Sequence, residues 1–327
     1  MSDDDEPVDA SLVPSEAVWQ VSDDDAGKRL DAFLVERLTW RSRTSITTLI
    51  REGEVSVDGA PCTRKGRKLK LGERVGVAVP PPAEPVRHAE IGEDLAGRIL
   101  FEDEHLIALD KPPGLVVHPV GRTRVNTLIQ GLHWLVAHSG RPPRGGGLPR
   151  ICHRLDRDTS GVLVLAKTSA ARSELQHVFE GREVHKTYLA FVQGQTPEEE
   201  TIDAPIGSDL ESEIELKMAV RPDGLPSRTR YRVQARYPEA TALEVAIDTG
   251  RQHQIRVHLS ARGNPILGDP LYGAGADPRI GRQALHAQVL ELPHPILGSP
   301  LRFVAPEPED MLALREALGG GKGPLAR

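Results

Sequence analysis

The chain of 327 residues has only two cysteines, Cys62 and Cys152. Two cysteines cannot form a disulfide framework, so the composition fits a reducing compartment. No apolar run approaches about 18 residues, which excludes a membrane-spanning helix. The N-terminus lacks both the basic and the apolar segment of a secretory signal. We therefore expect a cytoplasmic protein without a membrane partner.

Positive charge is absent from the start of the chain. Residues 1–25 contain nine acidic residues and no Lys or Arg, although the whole chain has a net charge of only −6. This composition predicts a disordered acidic tail at residues 1–18. Residues 26–80 carry a local excess of +6. Such a basic segment is typical of contact with nucleic-acid phosphates, or of a solvated basic surface.

Residues 19–80 are predicted to form a small α/β domain. Leu30, Phe33, Leu34 and Leu38 have helical spacing, and a second helix is expected after Ser42. An alternating strand at 55–57 runs into Asp-Gly at 58–59, which is a hairpin signal. A stiff Pro-rich linker is expected at 81–94, followed by a larger domain at 95–318 and a flexible tail at 319–327.

The larger domain has many strand patterns and few regular strand-helix-strand units. Alternation predicts strands near 98–110, 161–167, 188–192, 231–233, 243–247 and 284–292. Asn126 is expected to cap one helix, and Ser169 to cap a second helix that runs to Glu180. Further helices are expected over 252–262 and over 310–318. This order favours the α+β class with a mixed, mainly antiparallel sheet.

The chemistry is concentrated in the stretch His153–Gly161, with the sequence HRLDRDTSG. It lies between a Gly/Pro-rich segment and a strand, and loops on a rigid scaffold often carry function. Asp156 stands between Arg154 and Arg157. Guanidinium groups favour the charged form of a carboxylate, so Asp156 is expected to be a permanent anion. It would suit a nucleophile, a base or an ion-pair member; the alternative is a surface loop of mixed charge.

Four motifs in order resemble the RluA family of RNA pseudouridine synthases. They are the stretch at 153–161 and the segments 111–119, 186–190 and 249–259, the last continuing into 263–273. The N-terminal pattern resembles the alpha-L RNA-binding domain of the ribosomal protein S-four type. The resemblance implies a pseudouridine synthase fold with a central cleft, joined to a small α/β RNA-binding domain. It also implies isomerisation of uridine to pseudouridine without a cofactor or metal.

The resemblance assigns roles to individual residues. Asp156 matches the catalytic aspartate, Arg256 its arginine partner, and Tyr188 the tyrosine that stacks on the target base and is thought to help proton removal. Arg154 matches the residue that displaces the base from its stack. RNA-binding candidates are the basic residues of the small domain together with one loop arginine: Arg41, Arg43, Arg51, Arg64, Lys65, Arg67, Lys68 and Arg251.

The expected partner is large-subunit ribosomal RNA, bound by a monomer, and a transfer RNA remains an alternative. A non-catalytic RNA-binding or ribosome-assembly protein would lack Asp156, Tyr188 or Arg256, and a nucleoside hydrolase would release free uracil. Two positions depart from the family pattern. Gln252 replaces a usual Thr or Ser, and an acidic segment at 211–215 stands where relatives are typically basic. These acids should repel phosphate, which puts the RNA contacts of that segment in question.

Overall fold

The computed structural model describes residues 16–38, 43–78, 86–120, 123, 125–138, 148–181, 183–214, 216–273 and 275–319. The chain divides into two compact units, one of residues 1–94 with 116–141 and the other of residues 95–115 with 142–327. Within the described ranges, no helix is both long enough and apolar enough to cross a bilayer.

The first unit contains a small antiparallel sheet with four strands in the order β1-β4-β2-β3. The strands are β1 (Glu16–Gln20), β2 (Val55–Val57), β3 (Ala60–Pro61) and β4 (Arg74–Ala78). The helices of this unit are α1 (Leu30–Arg37), α2 (Arg43–Glu52), α3 (His88–Ala96) and α4 (Leu128–His138).

The sequence patterns of the small domain correspond to these elements. Leu30, Phe33, Leu34 and Leu38 all lie in one buried core cluster with the strand residues Val55 and Val57. The Asp-Gly pair at 58–59 forms the hairpin turn with φ values of 52° and 79°, which is the left-handed region that such turns require. The helix spacing and the hairpin signal were therefore read correctly.

Two elements occupy segments for which tail and linker were expected. β1 begins at residue 16, inside the predicted acidic tail, because its backbone pairs with β4 while Ala17 is buried and Trp19 packs on the core; Val18, between them, is exposed. α3 begins at residue 88, inside the predicted linker, and the prolines at 80–82 and 85 lie outside the described residues.

The second unit is built on a ten-stranded sheet with the order β10-β13-β14-β9-β15-β8-β6-β5, to which β16 and β7 add at β15 and β8. Its strands are β5 (Ile99–Glu102), β6 (Leu106–Lys111), β7 (Arg150–Ile151), β8 (Ser160–Ala166), β9 (His185–Gln193), β10 (Glu199–Asp203), β13 (Arg228–Arg236), β14 (Ala240–Ile247), β15 (Leu285–Pro293) and β16 (Pro300–Val304). A separate hairpin is formed by β11 (Ile206–Ser208) and β12 (Met218–Val220). The helices are α5 (Ser169–Glu180), α6 (Gln254–Ala261) and α7 (Glu309–Ala317).

One strand pair of this sheet is parallel, β8 with β15, and the other pairs between described strands are antiparallel. The predicted α+β class with a mixed, mainly antiparallel sheet is therefore confirmed. β8 is buried along its whole length, so its continuous apolar sequence reflects cover on both faces. The start of this central strand is the place where the His153–Gly161 stretch enters the sheet.

Two predicted helix caps were wrong. The cap of α5 is Thr168, whose hydroxyl accepts a hydrogen bond from the amide of Ala171, and Ser169 is the first helical residue. Asn126 adopts a left-handed φ of 60°, and its side-chain oxygen accepts from the amide of Arg87. A typical N-cap has extended backbone, so a capping residue type alone did not locate these helix starts.

Candidate active site

The loop that carries Asp156 connects β7 to β8 and closes with a tight turn, in which the amide of Thr159 donates to the carbonyl of Asp156 at 3.2 Å. The turn is fixed in place by Gly161. This glycine has a φ of 114°, and a Cβ added to it would lie 2.2 Å from the carbonyl oxygen of Ala287 in β15. Only glycine tolerates both the backbone conformation and the contact, which explains the last position of the motif.

Two buried cations hold the backbone of this loop from behind. The ammonium of Lys111, at the end of β6, donates to the carbonyls of Pro112, Leu115 and Arg157 at 2.7, 2.9 and 2.8 Å. The guanidinium of Arg282 donates to the carbonyl of Asp158 at 3.0 Å. Burial lowers the pKa of Lys111 to about 7. The loop is therefore anchored one and two residues beyond Asp156.

Arg256 in α6 joins two carboxylates. Its Nη1 donates to Asp156 at 3.0 Å, while its Nε and Nη2 donate to Asp269 at 2.7 and 2.9 Å. The Arg256 side chain is 7% exposed, Asp269 is 0% exposed and Asp156 is 19% exposed. Asp269 thus fixes the guanidinium from the buried side, and Asp156 meets it from the side that solvent still reaches.

The electrostatics favour the charged forms of Arg256 and Asp269. Burial alone would lower the pKa of Arg256, but the hydrogen bonds and charges of Asp269 and Asp156 outweigh it and raise that pKa. Burial acts to raise the pKa of Asp269, yet Arg256 and the amides of Leu271 and Tyr272 lower it below its ordinary value. The expected contact between Arg256 and Asp156 is present, whereas the part played by Asp269 was not foreseen.

The arginines beside Asp156 in the sequence do not pair with it. Arg157 turns away and binds the neighbouring Asp158 through Nε and Nη2. Arg154 is exposed at the cavity, and its guanidinium has no partner within the part of the chain that the structure describes. Successive residues of an extended loop point in different directions, so adjacency in sequence did not indicate the partner of the carboxylate.

Tyr188 lies on β9 and is 8% exposed. It borders the same cavity as Asp156. Burial, and next the negative charge of Asp156, raise the pKa of the phenol far above its usual value. The ring is therefore a neutral aromatic surface at physiological pH, suited to stacking on a base.

His253 and Tyr272 extend the site on the other side of Asp156. His253 precedes α6 with a left-handed φ of 56°. Its Nε2 lies 4.0 Å from Oδ1 of Asp156, and its Nδ1 lies 2.8 Å from the hydroxyl of Tyr272. That hydroxyl also accepts from the amide of Met218 in β12. Burial lowers the pKa of His253, which favours the neutral form of the ring.

A cavity of about 480 Å³ lies within the second unit, and His253 is one of the residues that line it. Its walls include Asp156, Tyr188 and Arg256, with Arg154 and Lys186 among the cations. A volume of this order accommodates a small ligand. The Asp156 carboxylate, the ring of Tyr188 and several cations thus meet in a space that fits a nucleotide.

The histidines that raise a metal interpretation are occupied with other contacts. Nε2 of His153 accepts from the amide of Val164, and its ring stacks on Phe179 at 4.7 Å. His258 is buried between Thr229 and the carbonyl of Ala204. No cluster of three or more metal-ligating side chains occurs among the described ranges.

The predicted RNA-binding residues of the first unit are mostly exposed. Arg43 and Arg51 stand near the two ends of α2, and Arg64, Lys65 and Lys68 are exposed between β3 and β4. Arg67 is half-buried and donates to Glu73 at 2.8 Å, so part of its charge is used internally. Arg41 lies outside the described residues.

Two residues of the loop before α6, Arg251 and Gln252, contact neighbouring backbone carbonyls. Arg251 borders the cavity, and its Nε approaches the carbonyl of Pro226 at 3.5 Å. The side chain of Gln252 donates to the carbonyl of Leu216 at 3.1 Å. The residue that departs from the family pattern thus ties this loop to the segment before β12.

The model of the RNA pseudouridylate synthase family matches residues 105–261, and the model of the S4 domain matches residues 28–75. The match at 105–261 includes Asp156, Tyr188 and Arg256. With the relatives described next, it shows that the chain belongs to the RNA pseudouridine synthases of the RluA type and carries an S4 domain. The predicted family, enzyme class and RNA substrate are confirmed.

Two bacterial relatives cover nearly the whole chain. The chain is 42% identical over 326 residues to "Ribosomal large subunit pseudouridine synthase D" of Xanthomonas campestris pv. campestris, with 96% of this chain and 94% of the relative covered. It is 42% identical over 306 residues to the protein of the same name from Nitrosomonas europaea, covering 91% and 86% of the two chains. Among solved structures, the human RNA pseudouridylate synthase domain containing 4 is 26% identical, with a TM-score of 0.57 over 71% of this chain and 97% of that chain.

Proposed function

We propose that this enzyme isomerises specific uridines of large-subunit ribosomal RNA, as a monomer in the cytoplasm. The names of the two bacterial relatives support the target. The free cysteines Cys62 and Cys152 fit a reducing compartment.

The observation that carries the catalytic proposal is the fixed carboxylate of Asp156. Arg256 holds it at 3.0 Å, and the loop beneath it is held by Lys111 and Arg282. A carboxylate fixed in this way can act on the sugar without reorganising, either as a nucleophile at C1′ or as a base at C2′. Tyr188 supplies the stacking face, and we assign Arg154 to filling the space that the displaced uridine leaves.

The reaction leaves the atom count unchanged. The bond from C1′ of the ribose to N1 of uracil breaks, the free ring turns, and a bond forms between C1′ and C5. The proton on C5 leaves and N1 gains one, so no external reactant is required. Arg256 has the further role of holding Asp156 in one orientation while the base is detached.

We also propose that residues 19–80 bind RNA through Arg43, Arg51 and neighbouring basic residues, whereas residues 95–318 carry out the chemistry. Phosphate contacts by such a domain would position the RNA without reading its sequence. Arg41, Arg64, Lys65, Lys68 and the partly engaged Arg67 complete this set, and Arg251 is assigned to the RNA backbone at the cavity.

The target is tested by mapping pseudouridines in total RNA from cells with and without this gene, and from cells that carry Asp156→Asn. Loss of defined pseudouridines in large-subunit ribosomal RNA, restored by the wild-type gene and not by Asp156→Asn, is the expected result. Loss confined to transfer RNA would contradict the proposed target. A single-turnover assay with tritium at C5 tests the catalytic role, because isomerisation releases the tritium. We expect Asp156→Asn to release it at least ~100-fold more slowly.

A further inference from the structure

Lys186 is a cavity residue to which no role has been assigned so far. It lies on β9 two residues before Tyr188, so both side chains leave the strand on the same side. Cα atoms at this spacing are about 6.6 Å apart. The ammonium lies over the ring of Phe179 at 4.9 Å, and it borders the same cavity as Asp156 and Tyr188.

This ammonium has no ionic partner in the described part of the chain. No ion pair or hydrogen bond of its Nζ exists there, and burial is the sole cause that lowers the pKa of Lys186, to about 8. The other carboxylates of the cavity are engaged or distant. Asp156 binds Arg256, Asp248 binds Arg230, and Glu180 is exposed and beyond ion-pair distance of Lys186.

The other strongly buried cations of the second unit behave differently. Each has an internal acceptor: Lys111 has three carbonyls, Lys167 has Glu102, Arg256 has two aspartates, Arg282 has Asp310 and Arg315 has Glu307. Removing a charge from water is costly unless it is paired. An unpaired, mostly buried ammonium beside the proposed site of reaction therefore calls for an anion from outside the chain.

We infer that Lys186 binds a phosphate of the RNA backbone next to the target uridine. This inference rests on the proposed function of the cavity. An RNA substrate brings one anionic group per nucleotide, and a lysine is a compact point charge suited to phosphate. With the uracil against Tyr188, the ammonium on the same face of β9 lies within the span of that nucleotide. Gly250 lies close to this ammonium: a Cβ added there would be in van der Waals contact with Nζ at 3.5 Å, so any side chain at this position would narrow the approach to the cation.

The inference is tested with short RNAs that the wild-type enzyme isomerises, each carrying one neutral methylphosphonate on either side of the target uridine. We expect Lys186→Gln to raise KM roughly ten- to a hundred-fold, as for loss of a charge-assisted hydrogen bond. One of the two methylphosphonates should raise the KM of the wild type by a similar factor, and it should hardly change the KM of Lys186→Gln. The slope of log KM against log salt should fall by about one.

Two variants serve as controls. Lys217→Gln removes a lysine of the same unit that is already paired with Asp209 at 3.4 Å, and it should leave KM and salt slope unchanged. Lys186→Arg keeps the cation and should retain most of the affinity. The inference is wrong if the effects of the methylphosphonate and of Lys186→Gln on KM multiply on both sides of the target uridine. It is also wrong if neither methylphosphonate raises the KM of the wild type. The wild-type measurement with the methylphosphonate RNAs needs no variant, so misfolding of Lys186→Gln would not obscure its result.

The pH dependence gives an independent check. With a pKa of about 8 in the free enzyme, Lys186 loses its proton between pH 7 and 9, so the KM of the wild type should rise roughly ten-fold. Lys186→Arg should lack this rise. The charged and titratable groups around the same cavity are His153, Arg154, Asp156, Glu180, Asp248, Arg251, His253 and Arg256, with Lys111 behind the loop, and all are present in both proteins. An equal rise in both would refute the assignment.

A failure of the proposed target is distinguishable from a failure of this inference. The RNA is chosen by wild-type tritium release, so any uridine that the enzyme isomerises will serve. If Asp156→Asn still releases tritium, the catalytic assignment fails whatever Lys186 does. If Asp156→Asn is inert but binds the neutral and charged RNAs equally well, Lys186 alone has been misassigned.

Discussion

Replacing Arg256 should destabilise the protein much more than replacing Asp156, although both changes should stop the reaction. Arg256→Met removes all three contacts of the guanidinium and leaves Asp269, which is 0% exposed, without its cation. Breaking a buried ion pair by removing one partner typically costs about 3–5 kcal/mol. For a domain of this size, each kcal/mol lowers Tm by about 2–4 °C, so a drop of roughly 6–20 °C is expected.

Asp156→Asn is expected to spare the fold. Arg256 keeps both bonds to Asp269, and the amide oxygen of Asn can still accept from Nη1. Asp156 is 19% exposed, so water also compensates for part of the lost contact. We expect the free energy of unfolding to change by less than about 1 kcal/mol, while tritium release falls by orders of magnitude.

The two variants are compared by thermal unfolding and by tritium release at saturating RNA. Arg302→Met is the matched control, because Arg302 binds Glu291 at 3.2 Å between two exposed side chains. Such pairs contribute about 0–1 kcal/mol. If Arg256→Met melts no lower than Arg302→Met, or if Asp156→Asn is as unstable as Arg256→Met, the guanidinium does not anchor the site through Asp269.

Three further changes test other parts of the structure. Because Lys111→Met leaves the carbonyl of Arg157 without its donor, the free energy of unfolding should fall by about 1–3 kcal/mol, and kcat should fall by a larger factor than KM rises. An unchanged kcat in this variant would refute the anchoring role of Lys111. Gly161→Ala should destabilise the protein far more than Gly114→Ala in thermal unfolding, because both have positive φ but only Gly161 would place its Cβ against the backbone of β15; equal losses would rule out that contact. Deleting residues 1–85 should weaken RNA binding and flatten its salt dependence, with tritium release retained on a short RNA; a folded but inert truncation would overturn the division of labour.

The sequence predicted the site better than its surroundings. The pattern around Asp156 and the family resemblance led to Tyr188 and Arg256, which border the same cavity. Asp269 lies in the last of the four motifs, but no role is predicted for it from the sequence. Nothing in a linear pattern shows that a residue thirteen positions after Arg256 contacts its guanidinium. The pairing of Arg157 with Asp158 also depends on the turn geometry of the loop, which residue types alone do not specify.

Strands with strict alternation or a continuous apolar run were predicted within a few residues. β8 and β14 are examples, since their buried patterns follow directly from their residue types. β10 was missed because most of its side chains are polar, and β11 and β12 were missed because each has only three residues. The parallel pairing of β8 with β15 joins positions 126 residues apart, at His286 and Ser160, and local periodicity contains no information about such a pair.

The long-range contacts of the Asp156 loop have a consequence for protein synthesis. The loop is held by Ala287 through Gly161 and by Arg256, 100 residues after Asp156. The match to the S4 domain, in contrast, ends at residue 75, and the last strand of the small sheet, β4, ends at Ala78. At about 5–20 residues per second, translation from residue 75 to 287 takes roughly 10–40 s. During that interval a nascent chain could bind RNA through its S4 domain while the Asp156 carboxylate has no fixed position. A ribosome stalled between these residues would therefore carry an RNA-binding chain without catalytic activity.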